Sequence, residues 1–443
     1  MKNSSGLIFI PFLVLGSHAV FAGGYATDVP SAAAMGNSYS GQASGMHNIS
    51  DMFVNPAILM SYSRNQINID GNYIAPDLVI GPNATARTSA GLGNQNIDLE
   101  GDGSEGTHGD KNAFVPMLYG MLDINPNLRV GMGINVPFGL STSYPEQWIG
   151  RYKALDSEIQ AINLSPTIAY KFNQDIAFAA SLQVQYLESN LSTAIDFGSL
   201  LIGSPNYAFD GKSEITADDW GYGFKLGVLF TPNQFTKFGI GYRSKIDHTL
   251  SGENDFTVPA SAAVITSTGQ FVDTDITADL ITPETLNFGI SHQLTTNLNI
   301  LMDAAWTHWS RMDTLTIEHE NPLQADAVTN FKWNNSWFWG VGANYKYNDT
   351  WLLRTGFAYE QSPVNSTYLS PRVPLNDKYF ASLGFNYLLS SCAQIDVSYI
   401  HEFFKDAHSD LNFDDPNNTF SGSLNADYEV GLDAIAASLS YQF

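Results

Sequence analysis

Seven basic residues carry the chemistry that can be read from this chain. Arg129, Lys171, Lys225, Arg243, Lys346 and Arg354 stand in the polar phase of alternating apolar segments, and Arg151 lies in the loop-like stretch "WIGRY". Guanidinium and ammonium groups in such surroundings orient an anion through charge-assisted hydrogen bonds, which are roughly twice as strong as neutral ones. The same phase also holds acids, including Asp303, Asp396 and Glu360. Buried charges are rarely left alone, so most of the seven are expected to pair with such acids. The sequence does not single out the one left for a ligand.

Catalysis finds less support. A hydrolase working on acyl chains needs Ser, His and an orienting acid within reach. No Gly-x-Ser-x-Gly elbow is present, and the nine histidines are scattered. His308, in "WTHWSR", reads as a ring at a membrane edge. The acidic stretch "DLEGDGSEGTHGD" lacks the full oxygen spacing of a calcium loop, so neither a metal nor a cofactor is expected. A net charge of -24 repels phosphates and argues against nucleic acid. Acids gather in this stretch and in "KDAHSDLNFDD", which suits solvated loops. Cys392 is the single cysteine and is read as a turn residue, so no intramolecular disulfide forms.

The elements that must position the cations are strands. Residues 1–22 have a basic start at Lys2, an apolar run from Leu7 to Leu15 and small residues near Ala22, as in a cleaved signal peptide. No later run reaches the roughly 18 apolar residues of a spanning helix. Alternation with period two recurs instead. Ile162, Leu164, Ile168, Tyr170 and Phe172 share one face of a segment whose other face holds Asn163, Ser165, Thr167 and Lys171. Ile176 to Tyr186, Tyr222 to Phe230, Leu286 to Ile290, Leu298 to Trp306, Trp337 to Tyr345 and Tyr379 to Tyr387 repeat the pattern.

Tight turns such as "FNQD", "TPNQ" and "TTN" alternate with long polar stretches such as 190–218 and 251–279, the rhythm of a single-chain outer-membrane barrel. About 14 strands fit between Gln66 and the aromatic end Phe443, with both termini periplasmic. The fold is therefore read as an all-β, porin-like 14-stranded antiparallel barrel over residues 65–443, located in a bacterial outer membrane. Residues 23–64, rich in Ala, Gly and Ser and lacking alternation, are read as a plug of short helices filling a lumen that would otherwise be wide.

One strand is peculiar. "LRVGMGINVPFGL" places Leu128, Val130, Met132, Ile134, Val136 and Phe138 at every second position, but Gly131, Gly133 and Pro137 weaken it. Either the glycines make room for the plug or the strand is an opening in the wall; the two are compatible.

The chain resembles the FadL family of outer-membrane transporters for long-chain fatty acids and other hydrophobic compounds. Asn55, Pro56 and Ala57 match the motif that ends the family's small-residue hatch. "GINVPFGLSTSYPEQWIGRYKALDSEIQAINLSPTIAYKF", "ITPETLNFGISHQL", "DAAWTHWSRMDTL", "WLLRTGFAYEQSPV" and "RVPLNDKYFASLGFNY" follow in the family's order. The resemblance implies passive uptake, a movable hatch and a kinked third strand beside it that opens the wall sideways. By count "LRVGMGINVPFGL" is that strand, with Gly131, Gly133, Asn135 and Pro137 as its gate and with Asn135 and Arg129 facing inward. Trp148, Ile149, Tyr152, Leu200, Leu201, Ile202, Tyr207 and Phe209, apolar groups in segments expected to be exposed, suit a capture site, though packing among the loops competes with that reading. No Walker A motif is present, so transport is expected to need no energy source. The expected partners are the hydrophobic cargo, outer-membrane lipid and lipopolysaccharide, around a monomer. An aromatic hydrocarbon channel of the same family, a general porin and an adhesin remain alternatives.

Overall fold

Fourteen antiparallel strands close into a barrel in the computed structural model, which describes residues 24–27, 31–88, 107–415 and 417–443. The signal peptide expected at 1–22, and most of the acidic stretch that was weighed as a calcium loop, lie outside these residues. In chain order the strands are β1 Gln66–Ile80, β2 Ala113–Asn125, β3 Leu128–Ser143, β4 Asp156–Lys171, β5 Ile176–Ile195 and β6 Gly211–Asn233. They continue as β7 Thr236–Arg243 with its extension Ile246–Thr257, β8 Thr274–Thr282 followed by Thr285–Thr295, and β9 Leu298–Thr307 with Thr314–His319 above it. The series ends with β10 Ser336–Lys346, β11 Trp351–Glu360, β12 Lys378–Leu388, β13 Ala393–Phe404 and β14 Ser423–Gln442. Pairing of β1 with β14, from Gln66 opposite Gln442 to Ile80 opposite Tyr428, closes the ring.

The wall is inverted relative to a soluble protein. Ile168, Leu182, Tyr222, Leu226, Trp339, Leu383 and Ile435 point outward and are exposed, while Asn68, Asn163, Gln183, Gln185, Asn344 and Ser438 point inward and are buried. Only a closed barrel satisfies its backbone while presenting such a face to lipid. Among the described residues no helix is long and apolar enough to cross a membrane.

At one end the connections are tight because side chains close them. Asn173 Oδ1 accepts from the N–H groups of Asp175 and Ile176, Asn233 Oδ1 from Phe235 and Thr236, and Asn348 Oδ1 from Thr350 and Trp351. Cys392 lies half-buried in the turn between β12 and β13. The Phe443 N–H donates to the Asn65 carbonyl at 3.0 Å, so β1 starts and β14 ends at this tight-turn end. At the other end the strands run further than their apolar alternation. The segments 190–218 and 251–279, expected as loops, are partly strand, because beyond a bilayer both faces meet water and the apolar phase that betrays a strand disappears.

Residues 31–61 fill the lumen with one short helix, α1 Ala32–Met35, and two 3₁₀ turns, Ile49–Phe53 and Pro56–Ser61. Their apolar side chains Ile49, Met52, Ile58 and Leu59 are buried. Close approach to the wall requires glycine there. A Cβ at Gly239 would collide with the Ala43 carbonyl, one at Gly227 with Asn55, and one at Gly356 with the Asn37 backbone. Gly239→Val is therefore expected to lower barrel stability by about 1–3 kcal/mol through overpacking. It should also speed amide exchange across residues 41–46. Gly120→Ala, where a Cβ meets nothing within 4 Å, should change neither the thermal melt nor the exchange.

Candidate functional site

The ladder between β2 and β3 stops in mid-wall. It runs from Asn125 opposite Leu128 to Leu118 opposite Ile134 and goes no further, although β2 stays paired with β1 up to Ala113 opposite Ile74. On its other side β3 slips against β4: Asn135 faces Asn163, and the next pair is Phe138 with Ala161. One extra residue in a strand reverses the phase of every side chain beyond it. The six apolar residues expected on one face of β3 are thus divided. Met132 faces outward and is exposed, whereas Val136 and Phe138 are buried, with Phe138 turned into the lumen. The slit lies above Gly131 and Gly133, which are fully laddered to both neighbours. A Cβ on Gly131 would meet Leu59 Cδ1 at 2.7 Å and Met52 Cε at 3.2 Å, so that glycine seats the hatch. Proline stands on each edge of the slit, Pro116 on β2 and Pro137 on β3, and neither supplies an N–H donor.

The vacated edge of β3 is taken by the first described residues of the chain. The Thr27 N–H donates to the Pro137 carbonyl at 3.0 Å, the Gly139 N–H donates to the Tyr25 carbonyl at 2.7 Å, and Ala26 pairs with Phe138 as an isolated bridge. The Thr27 hydroxyl donates to the Val136 carbonyl. Residues 24–27 thus lie against the middle of the wall. Tyr25 anchors them: its ring packs edge-on to Trp309 at 4.9 Å and lies 5.5 Å from Phe138 and 6.0 Å from Trp333. Its hydroxyl donates to the Ile281 carbonyl at 2.8 Å. Higher up, Gly109 bridges the two sides, donating to Leu78 and accepting from Ser143. Beside it Asp77, His108 and Asp110 bring ligand atoms within 4.8 Å of one another on the solvent side.

Asn55, Pro56 and Ala57 act together as a staple. Asn55 Oδ1 caps the 3₁₀ turn by accepting from the Ala57 N–H at 3.0 Å, and Pro56 occupies the first position, where no N–H is needed. Asn55 Nδ2 donates to the Ala43 carbonyl inside the hatch and to the Val228 carbonyl of β6, at 2.7 and 3.0 Å. Other wall groups grip the hatch backbone. Asp70 accepts from the Ala32 N–H, Asp303 from the Ala43 N–H, and Ser382 from the Ser38 N–H, while Asn37 Nδ2 donates to the Ala343 and Thr355 carbonyls. Asp303, expected to pair with a cation, thus holds a peptide group instead. Ser38 and Tyr39 adopt left-handed φ values of 47° and 63°, a local strain that these wall contacts hold in place.

The structure separates the seven cations. Arg354 is paired with Asp396 at 2.7 Å, Arg129 with Asp123 at 2.7 Å and with the Tyr62 carbonyl, and Lys346 with the exposed Asp349. Lys171 is half-buried at the tight-turn end of β4. Glu360, the third acid expected to neutralise a cation, shares Lys378 with Glu402. Arg151 is locked in a loop by Asp210 at 2.7 Å and by the Tyr152 hydroxyl at 3.1 Å. Burial pushes the Asp210 carboxyl up even against the pull of Arg151. Lys225 and Arg243 stand opposite each other in the lumen, and Arg243 donates to Thr285 Oγ1 at 3.1 Å.

The loops are more closed than their composition suggests. Trp148, Ile149 and Tyr152, expected to be exposed, are buried in a packed loop where Trp148 stacks on Tyr144 and donates to the Ala154 carbonyl. Leu200 and Ile202, on α2 Phe197–Ile202, are 51% and 53% exposed, Leu201 is half-buried, and Tyr207 and Phe209 lie half-buried beside them. The sequence reading missed Tyr25–Thr27, Trp309 and Trp333. The available signal was a pair of tryptophans outside any alternating run; nothing local marked the isolated bridge made by residues 25–27.

Comparison with known proteins agrees with this architecture. The family profile for outer membrane protein transport proteins (OMPP1/FadL/TodX) matches residues 13–443. A putative outer membrane protein of Neisseria meningitidis serogroup B is 26% identical over 423 residues, covering 89% of each chain. The long-chain fatty acid transport protein of Escherichia coli K12 is 22% identical over 431 residues, covering 87% of this chain and 89% of its own. Among solved structures, a Pseudomonas aeruginosa FadL homologue superposes with a TM-score of 0.85 at 23% identity, covering 95% of this chain and all of the other. The Pseudomonas putida toluene transporter TodX gives 0.69 at 16% identity, covering 96% and 100%.

The staple makes a specific expectation. Asn55→Ala removes a cap and both side-chain donations of one amide, to the Ala43 and Val228 carbonyls, a loss of about 1–3 kcal/mol. Hydrogen exchange should show the hatch opening while the β1 and β14 amides stay protected. Asn55→Asp, which keeps the cap acceptor, should lie between the wild type and Asn55→Ala.

Proposed function

Because the chain belongs to the OMPP1/FadL/TodX family of outer membrane transport proteins, we propose that it takes up long-chain fatty acids passively and releases them sideways through the slit beside β3. The observation that carries this reading is that β3 leaves β2 after Ile134 and that a short segment, residues 25–27, rather than a wall strand, occupies the vacated edge. A wall strand is covalently framed by its turns. A segment outside the wall, held by a few hydrogen bonds and one ring, can leave and return.

In this reading the long-loop end faces outward, and the start of β1 and the end of β14 face the periplasm. Leu200 and Ile202, with Tyr207 and Phe209, offer the apolar surface that first meets cargo inside the lipopolysaccharide layer, and the packed Trp148, Ile149 and Tyr152 support it from below. The chain then enters the aromatic cluster of Trp309, Trp333 and Phe138. Burial of each methylene contributes about 0.8 kcal/mol, so a long acyl chain is held firmly there. Release needs a competitor. Tyr25 fits the same cluster, so its return lowers the affinity for the acyl chain and moves it toward the slit, which biases a two-state equilibrium without any fuel.

A disulfide across the Ala26–Phe138 bridge tests this mechanism. In a Cys392→Ser background, Ala26→Cys with Phe138→Cys should take up labelled oleate when reduced and lose most uptake when oxidised, with recovery on reduction. Undiminished uptake with the disulfide demonstrably formed would overturn it.

A further inference from the structure

One carboxylate grips both ends of the turn that carries Trp309. Pro283 interrupts β8 between Thr282 and Thr285, and the residue after it, Glu284, is buried. Glu284 Oε2 accepts from Arg311 Nε and Oε1 from Arg311 Nη2, both at 2.6 Å, a two-pronged contact of guanidinium with carboxylate. His308 Nδ1 lies 2.7 Å from the same Oε1, and the His308 N–H donates to the Glu284 carbonyl at 3.1 Å. The ladder between β8 and β9 reaches Thr285 opposite Thr307, and these contacts take over where it stops. Beyond it the chain turns through the 3₁₀ stretch Trp309–Arg311, to which His308 supplies no side-chain cap. Asn335 Oδ1 adds one bond, from the Ser310 N–H at 3.1 Å.

Trp309, between the two gripped residues, is buried and is the ring to which Tyr25 stands edge-on at 4.9 Å. It lies 5.2 Å from Trp333 and 6.3 Å from Phe138. A Cβ on Gly24 would come within 2.9 Å of both tryptophans, so the segment 24–27 fits these rings closely. Edge-to-face contact depends on ring angle and distance, and a displaced Trp309 forfeits it. An acyl chain makes no such angular demand, because the hydrophobic effect that holds it is non-directional. A bidentate Arg–carboxylate pair, by contrast, fixes geometry as well as supplying energy.

We infer that Glu284 is a positioning residue for the seal: by fixing Trp309 it sets how strongly Tyr25 docks, and with that how readily a bound acyl chain is expelled. The inference rests on the transport reading above and deepens it, because it places the balance between seal and cargo in an ion pair outside the ring cluster. Loosening the grip handicaps Tyr25 more than the acyl chain, so cargo binds more tightly and leaves more slowly. Damage to the cluster itself would weaken both competitors.

Amide exchange and oleate binding on the purified full-length protein in nanodiscs, with uptake of labelled oleate by whole cells, test the assignment. Glu284→Gln should speed exchange of the Thr27 and Gly139 amides by about tenfold, the loss expected of a charge-assisted contact, with the β1 and β14 amides unchanged. Its affinity for oleate should rise several-fold while its maximal uptake rate falls. Arg311→Gln should do the same, and the double variant no more than either single one, since both remove one interaction. Asp313→Asn, which removes the exposed ion pair with Lys332 two residues further on, should change none of these quantities. Unaltered exchange at Thr27 and Gly139 in both variants, a speed-up shared equally by the β1 and β14 amides, or weaker oleate binding in Glu284→Gln overturns the role of Glu284 and leaves transport standing. A wild type that takes up no oleate overturns the transport reading, and the exchange rates then decide the role of Glu284 by themselves.

Discussion

A strand edge inside a bilayer cannot be left unpaired. Lipid offers no donors or acceptors, and each orphaned peptide group there costs several kcal/mol. By parting β3 from β2 above Ile134, this barrel creates such an edge in the middle of its wall. Prolines 116 and 137 reduce the number of donors to be satisfied but leave the carbonyls. The Pro137 carbonyl and the Gly139 N–H therefore need a partner, and Thr27 and Tyr25 provide it from inside. The gap in the wall is consequently bridged by residues 25–27, which belong to no wall strand.

The same requirement shapes the lumen. An inner face of Asn, Gln, Ser and Asp would be wet if the barrel were open, and a general porin is built that way. Here residues 31–61 occupy it, and because short turns leave many peptide groups unpaired, the wall must answer them one by one. Asp70, Asp303 and Ser382 do so, while Asn37 and Asn55 tie the hatch to wall carbonyls. Inward polar side chains and inward glycines are thus two halves of one seat, the first meeting hatch donors and acceptors and the second making space for hatch backbone.

The barrel was legible because lipid imposes a period of two on every crossing strand, and fourteen repetitions of that pattern average out local accidents. The place of the kinked strand was legible too, as its glycines and proline break an otherwise regular run. The position of the slip was not. A one-residue bulge changes no composition, yet it turned Phe138 from the outer phase to the lumen and moved the discontinuity past Gly133. Burial of Trp148, Ile149 and Tyr152 was invisible for a related reason: loop packing follows from long-range contacts such as Arg151 with Asp210, which no local pattern encodes. Choosing among the seven cations likewise required knowing which carboxylates face them across strands.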